Sequence, residues 1–586
     1  MKTFDKIIPI LKKNWLRIVI GLLLIIVVDV LQLMVPKIMQ VAVDQIKVPG
    51  FAQSDLVKYS LLIFLIALGI AAIRFVWRLL LIGNAWIVDR DMRQLFYDHL
   101  LSLSKSFFDK AKTGDLMAYA TNDMNAVRML AGFGLVILVD IVVFSVASLF
   151  FMININLRLT LLAVIPMPFL TFVIVFFGKR IHHHFKRVQA SFAQMSGQIQ
   201  ESISGIRVVK AFVQEKAELS KVSRSAYNYV KENILLVRIF GIFHPTLFLF
   251  ISISMGIVLV FGGELTLSGE ISMGEFVAFF SYLGMFVWPM IAIGWFINLL
   301  QRGKASLARL NSIFEVGPEV YDEDIDESIQ ALQGKIEIRT LSFKYKEDSS
   351  EIFSNVSFYI DKGKTLALVG KTGCGKTTLV DLITRVYNPP RNSIFIDDHD
   401  IYKIPLQVLR KHIVTVPQDI FLFSDSIAEN IALGKPDADR KEIENAARNA
   451  QVYDDIMEFE KGFDTVIGER GVTLSGGQKQ RLAIARALLT DPEVLILDDA
   501  LSAVDTKTEK QILELLIGIR KNKTTIIIAH RISSLQHADK IVVLENGKVA
   551  ETGNHKELLA INGIYKDLQE KQMIKERLDA ETGKQE

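Results

Sequence analysis

Six long apolar runs crowd the first 300 positions of this chain, at roughly 15–38, 56–83, 129–153, 159–178, 236–262 and 273–298. Each is long enough to cross a bilayer, since about 20 residues at ~1.5 Å each span the ~30 Å hydrocarbon layer. A backbone in lipid must satisfy its polar groups internally, so runs of this kind fold as helices. After about Gly334 the pattern changes to short β-rich runs alternating with amphipathic stretches. A single core cannot serve 586 residues of such unequal character. The expectation is a membrane α-helical domain followed by an α/β domain.

Charge sets the orientation. Lys2, Lys6, Lys12, Lys13 and Arg17 precede or open the first run, and the stretch after the fourth run is strongly basic. Between runs five and six, Gly263 to Gly274 carries Glu264 and Glu270 with no Lys or Arg. The positive-inside rule therefore expects both termini in the cytoplasm. The first run has no small-residue cleavage site before Pro36, so it reads as a retained span rather than a signal peptide. Connections expected outside are short, whereas the cytoplasmic ones, Asn84 to Arg128 and Lys179 to Leu235, keep apolar residues at helical spacing. They read as helices that leave the bilayer and turn back, at Thr113–Leu116 and Glu201–Ile206. Pro166, Pro168, Pro245 and Pro289 lie within runs and favour kinks.

Composition excludes several chemistries. The lone Cys374 rules out an internal disulfide and a Cys-based structural metal site, and a formal net charge of only +3 gives no reason to expect a nucleic-acid partner. His182, His183 and His184 stand among Lys179, Arg180, Lys186 and Arg187 without a second ligand cluster. They read as a basic helix at the membrane edge.

The second half carries the chemistry. Gly370-Lys371-Thr372-Gly373-Cys374-Gly375-Lys376-Thr377 matches G-x-x-x-x-G-K-[ST], between the apolar strand Thr365–Val369 and a helix-like stretch beginning Thr378-Leu379-Val380. That context is what a P-loop requires. Its amides cradle phosphate oxygens at a helix N-terminus, Lys376 reaches the β/γ-phosphates of ATP, and the Thr377 hydroxyl binds Mg²⁺. Val494-Leu495-Ile496-Leu497-Asp498 is an apolar strand ending in a carboxylate placed to hold Mg²⁺. Ser475, Gly476 and Gly477, followed by Gln478, begin another helix and form a further anion site.

With these pieces, Leu474-Ser475-Gly476-Gly477-Gln478-Lys479-Gln480-Arg481 resembles the signature of ABC ATPases. The resemblance covers the whole chain, since Gly114-Asp115-Leu116, Gly205–Lys210 and Ala305–Arg309 are similar to bacterial multidrug and lipid exporters of that family. It implies domains over 1–315 (six spans), 316–333 (linker), 334–573 (ATPase) and 574–586 (charged tail). It also implies roles. The signature caps nucleotide held by the opposite subunit, Tyr345 stacks on adenine, and Gln418 touches Mg²⁺. Thr465–Gly471 and the membrane-domain elbows meet, Ser502–Asp505 crosses the dimer interface, and His530 lies near the γ-phosphate. Two such halves assemble, with the elbows of each docked on the other's ATPase domain.

One departure matters. Hydrolysing members of the family carry Glu directly after the Asp of this strand, where it polarises the attacking water; here the residue is Asp499. Its carboxylate is one methylene short at a site where about 1 Å of misplacement costs on the order of 10²-fold. The chain therefore resembles the impaired half of a heterodimeric multidrug exporter, with a working homodimer or a lipid flippase as the alternative. The implied partners are a second exporter half, membrane lipids and a small amphipathic substrate. Within the spans, Asp29, Arg74, Arg78 and Asp140 need pairing or a wet cavity, because an isolated charge there costs at least ~2.5 kcal/mol.

Overall fold

The computed structural model describes all residues except 1–4, 47–50, 346–349, 469–473, 530, 532–534 and 583–586, and leaves aside the side chains of 506 and 575–582. The chain divides into two units, Met1–Leu101 with Lys112–Val316, and Ser102–Ala111 with Gly317–Glu586.

The first unit holds six helices long and apolar enough to cross a membrane: Trp15–Gln45, Gln53–Ser102, Thr113–Ile155, Leu157–Ser204, Glu215–Leu267 and Met273–Phe314. All six exceed the ~20 residues a bilayer needs, which gives them long polar extensions. Span six packs on spans one and three, and span four packs on span five. Large apolar side chains such as Phe64, Phe75, Phe172 and Phe248 remain more than 60% exposed in the single chain, a surface for lipid or a second half to cover. The start of span six is set locally by Ser272, whose side chain caps the Glu275 amide while the Glu275 carboxylate accepts from the Ser272 amide. Gly274 permits the close approach of span one, because a Cβ there would lie 2.1 Å from the Gln40 carbonyl oxygen. Pro166 and Pro168 divide span four into Leu157–Val164 and Met167–Ser204, whereas Pro36, Pro245 and Pro289 lie inside continuous helices.

The second unit is an α/β domain with two sheets. The smaller is antiparallel, in the order β2 (Phe353–Ile360), β1 (Ile336–Phe343), β4 (Ile394–Ile396), β5 (His399–Asp400). The larger runs β10 (Lys548–Gly553), β9 (Lys540–Glu545), β3 (Thr365–Val369), β8 (Thr524–Ile528), β7 (Val494–Asp498), β6 (Ile413–Val416). Strands β6, β7, β8, β3 and β9 are parallel and β10 is antiparallel. β7 and β8 are buried at every residue, which is why they read as unbroken apolar runs rather than alternating ones. Apolar clusters cover both faces of this sheet. The carboxyl ends of β3, β7 and β8 therefore share one edge, where open α/β sheets bind ligands.

The first turn expected at Thr113–Leu116 falls elsewhere. Thr113–Ala118 is already helical, and the chain reverses just before it, around the short helix Lys105–Phe108. That reversal, Ser102–Ala111, belongs to the second unit of its own chain. Within this chain the elbow contacts its own ATPase domain, through Lys105 and Asp109. The second turn falls as expected, at Gly205, and is followed by the helix Ile206–Ala211.

Candidate nucleotide-binding site

β3 ends at Val369, and the chain turns through Gly370–Gly375 into helix α1 (Lys376–Ile383). Gly375 has φ +99°, and a Cβ there would lie 2.8 Å from the Phe353 ring, so only glycine fits. Gly370 lies against the Leu544 carbonyl oxygen, 2.4 Å from where a Cβ would stand. Between them Lys371, Thr372, Gly373 and Cys374 complete the loop. Lys376 is buried, and its ammonium donates to the carbonyls of Gly370 (2.8 Å) and Lys371 (3.1 Å). Amides at the start of an eight-residue helix, with a cation folded into the loop, make a cradle for phosphate oxygens.

β7 brings Asp498 to the same edge, paired with Ile528 at the end of β8. Asp498 is 3% exposed, and burial pushes its carboxyl above the ordinary carboxylate range, with Asp499 and Asp381 adding to the rise. The Thr377 hydroxyl bonds to it and Lys376 lies close enough to oppose the shift. Asp498, Thr377 and Gln418 supply hard oxygen donors of the type Mg²⁺ takes, and a desolvated carboxylate favours a cation beside it. The residues therefore fit MgATP.

Asp499 has left-handed backbone geometry at φ +50°, a region that Asp tolerates better than longer side chains. Its amide donates to the Ile528 carbonyl at 2.9 Å, and its carboxylate accepts from the Gln418 side-chain amide at 3.3 Å. His530 lies outside the described residues. Tyr345 is 44% exposed; its hydroxyl bonds to the Thr378 hydroxyl at 2.9 Å, and its ring stands edge-on to Tyr387 at 5.0 Å.

Ser475, Gly476, Gly477 and Gln478 begin helix α2 (Gly476–Leu489). Ser475 and Gln478 form a reciprocal cap, at 3.2 Å and 3.0 Å, that fixes this N-terminus. Among the described residues no hydrogen bond or ion pair joins this group to the P-loop. The Thr465–Gly471 segment is described only to Gly468, and its Thr465 and Ile467 backbones bond to Ile427 and Asp425. Asp505 caps helix α3 (Thr506–Ile519) through the Thr508 amide at 3.0 Å.

Several further side chains, given no role by the sequence alone, brace the site. Gln480 donates to Ser502 Oγ (3.0 Å) and accepts from the Ala503 amide (2.8 Å), bracing the loop after Asp499. Arg481 pairs with Asp455 through two nitrogens, at 2.8 and 3.1 Å. From the elbow, Lys105 meets Asp381 on α1 at 2.9 Å, and Tyr387 donates to Asp109. Such pairs depend on long-range contacts that spacing does not encode, although Gln480 and Arg481 stand within the signature string itself.

Known proteins resemble both units. The family description "ABC transporter transmembrane region" matches residues 18–290, and "ABC transporter" matches residues 353–502. A Bacillus subtilis protein described as "Probable multidrug resistance ABC transporter ATP-binding/permease protein YheI" is 39% identical over 564 residues, covering 96% of each chain. The "ATP-dependent lipid A-core flippase" of Syntrophus aciditrophicus is 35% identical over 494 residues, 84% of this chain and 82% of that one. A solved structure, "Structure of a bacterial Atm1-family ABC exporter with ATP bound", superposes with a TM-score of 0.80 at 27% identity, over 95% of this chain and 99% of that one. An ABC ATPase domain binds ATP, and six apolar helices place the protein in a membrane. The chain therefore belongs to the ABC transporter family, carrying the family's transmembrane region and its ATPase domain on one polypeptide.

Proposed function

We propose that this chain is one half of an ATP-driven exporter of hydrophobic or amphipathic compounds, drugs among them, working with a second and different half. Both termini and the ATPase domain lie in the cytoplasm, where ATP is available. The observation that carries the impaired-site reading is Asp499. Its backbone is held on β8, so its short carboxylate ends at Gln418, 3.3 Å away, rather than reaching further toward the phosphates.

In this reading the P-loop amides and Lys376 bind the β- and γ-phosphates, Tyr345 stacks on adenine, and Thr377, Asp498 and Gln418 hold Mg²⁺. When bound, Mg²⁺ draws charge from the phosphate oxygens and favours departure of ADP. Asp499 orients water poorly for lack of reach, although His530, which the resemblance sets near the γ-phosphate, is retained. Ser475–Gln478 serve the partner's nucleotide, so the intact signature contributes to the competent site while the chain's own site chiefly holds ATP.

Support comes from the multidrug description of the Bacillus subtilis relative. Purification from the native membrane tests the reading. A second exporter chain with Glu at the position of Asp499 is expected to co-purify in equal amount, whereas recovery of a homodimer alone overturns it. The relative described as a lipid A-core flippase favours a second reading, a homodimeric lipid flippase. That reading predicts ATP turnover stimulated by lipids rather than by cationic dyes.

A further inference from the structure

Where span four leaves the apolar layer, a cavity of about 510 Å³ opens between Met167–Ser204 and Glu215–Ile257. Its polar lining is cationic or titratable throughout: Lys179, Arg180, His183 and His184 from one helix and Arg238 from the other, over the aliphatic floor of Leu235 and Ile239. Lys179 with His183, and Arg180 with His184, are four residues apart, so both pairs lie on neighbouring tracks of one face.

The cations are not used up internally. Among the described residues Lys179, Arg180 and Arg238 make no ion pair, and the Nδ1 of His184 is buried without a hydrogen-bond partner. Glu232, six residues before Arg238 and outside the cavity lining, is paired with Arg187 through Oε1 at 2.6 Å, and its Oε2 is buried without a partner. Unpaired like charges drawn together at a low-dielectric boundary repel one another unless an anion joins them.

Towards the bilayer the cavity continues into aromatic surface. Arg180 lies over the Phe176 ring at 4.6 Å, Phe176 packs edge-on to Phe177 at 5.5 Å, and Phe177 meets Phe243 at 5.7 Å. Phe172, one turn further into the membrane, is 67% exposed. A phosphate-sized anion in the basic cavity would thus carry its hydrocarbon along a ready apolar track.

We propose that this cavity binds the phosphate headgroup of an anionic phospholipid, with Lys179, Arg180 and Arg238 on the phosphate and the Phe172–Phe176 surface against an acyl chain. The site uses only the membrane placement of the spans and is independent of the exported substrate. Basic pockets between spans at headgroup depth suit such lipids.

Native mass spectrometry of the assembled transporter, titrated with phosphatidylglycerol or phosphatidylcholine, tests it. At least tenfold tighter retention of phosphatidylglycerol is expected. A Lys179→Gln/Arg238→Gln double variant should lose about thirtyfold, roughly fivefold for each charge removed. Lys186→Gln, on the same helix but outside the cavity, should change nothing, and the charge-keeping Lys179→Arg/Arg238→Lys pair should restore retention. Equal retention of the two lipids, an unaffected double variant, or an equal loss in Lys186→Gln would overturn the proposal. Displacement of the lipid by low-millimolar inorganic phosphate would overturn it too, by making this a site for free phosphate.

Discussion

Lengthening one side chain tests the catalytic reading most directly. In Asp499→Glu the backbone has little freedom to adjust, because the 499 amide is bonded to Ile528 at 2.9 Å. Its carbonyl accepts from the Ser502 hydroxyl at 3.0 Å. The added methylene therefore carries the carboxylate forward, by about 1.3 Å for a ~1.5 Å bond at a tetrahedral angle. At a site where about 1 Å is worth up to 10²-fold, turnover at the chain's own P-loop should rise 10- to 100-fold, a barrier lower by about 1.4–2.7 kcal/mol. The gain has a cost in stability. Position 499 sits at φ +50°, and Glu lacks the short polar side chain that lets Asp accept this geometry. A fall of up to about 1 kcal/mol is expected, seen as a melting temperature roughly 2–4 °C lower. The assay is steady-state ATP hydrolysis by the chain reconstituted with its partner half, whose own catalytic site is inactivated, at saturating MgATP, with Asp499→Asn as the background. Robust hydrolysis by the unaltered chain that vanishes in Asp499→Asn, with no gain in Asp499→Glu, would refute the reasoning.

Lys376→Ala should weaken nucleotide binding at this chain's P-loop at least tenfold, and unchanged photolabelling by an azido-ATP analogue would contradict the assignment. Lys105→Ala removes the ion pair with Asp381, whose lysine is 46% exposed, so stability should drop by only about 0.5 kcal/mol. Substrate stimulation of ATP turnover should nevertheless fall while nucleotide affinity holds, and intact stimulation would exclude a coupling role for this elbow. Asp498 has a folded-state pKa raised by burial. Its neutral form favours the fold below the ordinary Asp range, and that contribution is lost as pH rises through the raised value. Without metal, Asp498→Asn should therefore gain stability over the unaltered chain as pH increases and lose its stabilisation by MgATP; parallel melting curves across pH would refute this. Asp29 is 3% exposed with an unpartnered carboxylate oxygen, and Asp140 and Arg74 lie within electrostatic range. Asp29→Asn breaks no bond to that oxygen and should preserve expression while reducing export of cationic dyes relative to neutral ones. Poor expression with unchanged selectivity would mark the carboxylate as structural.

What the sequence determined follows from physics that acts locally. Apolar runs near bilayer length can only be helices, so the six spans were legible, as was the change at Gly334 to buried parallel strands. The P-loop was equally plain, because phosphate binding needs glycine where φ is positive or a Cβ would collide, as at Gly375. Tertiary structure decided what depends on residues far apart in the chain. Strand order, with β8 between β3 and β7, brings Asp498 to the Thr377 hydroxyl. The elbow between spans two and three lies ahead of Thr113, because Thr113–Ala118 begins a helix and the turn glycine at 114 adopts no special geometry. Its Lys105 and Asp109 reach Asp381 and Tyr387 across more than 270 positions, a pairing that neither periodicity nor motif can encode. The basic cavity likewise exists only because spans four and five pack together, joining the run at 179–184, whose residues alone read as a basic helix at the membrane edge, to Arg238 on the next span.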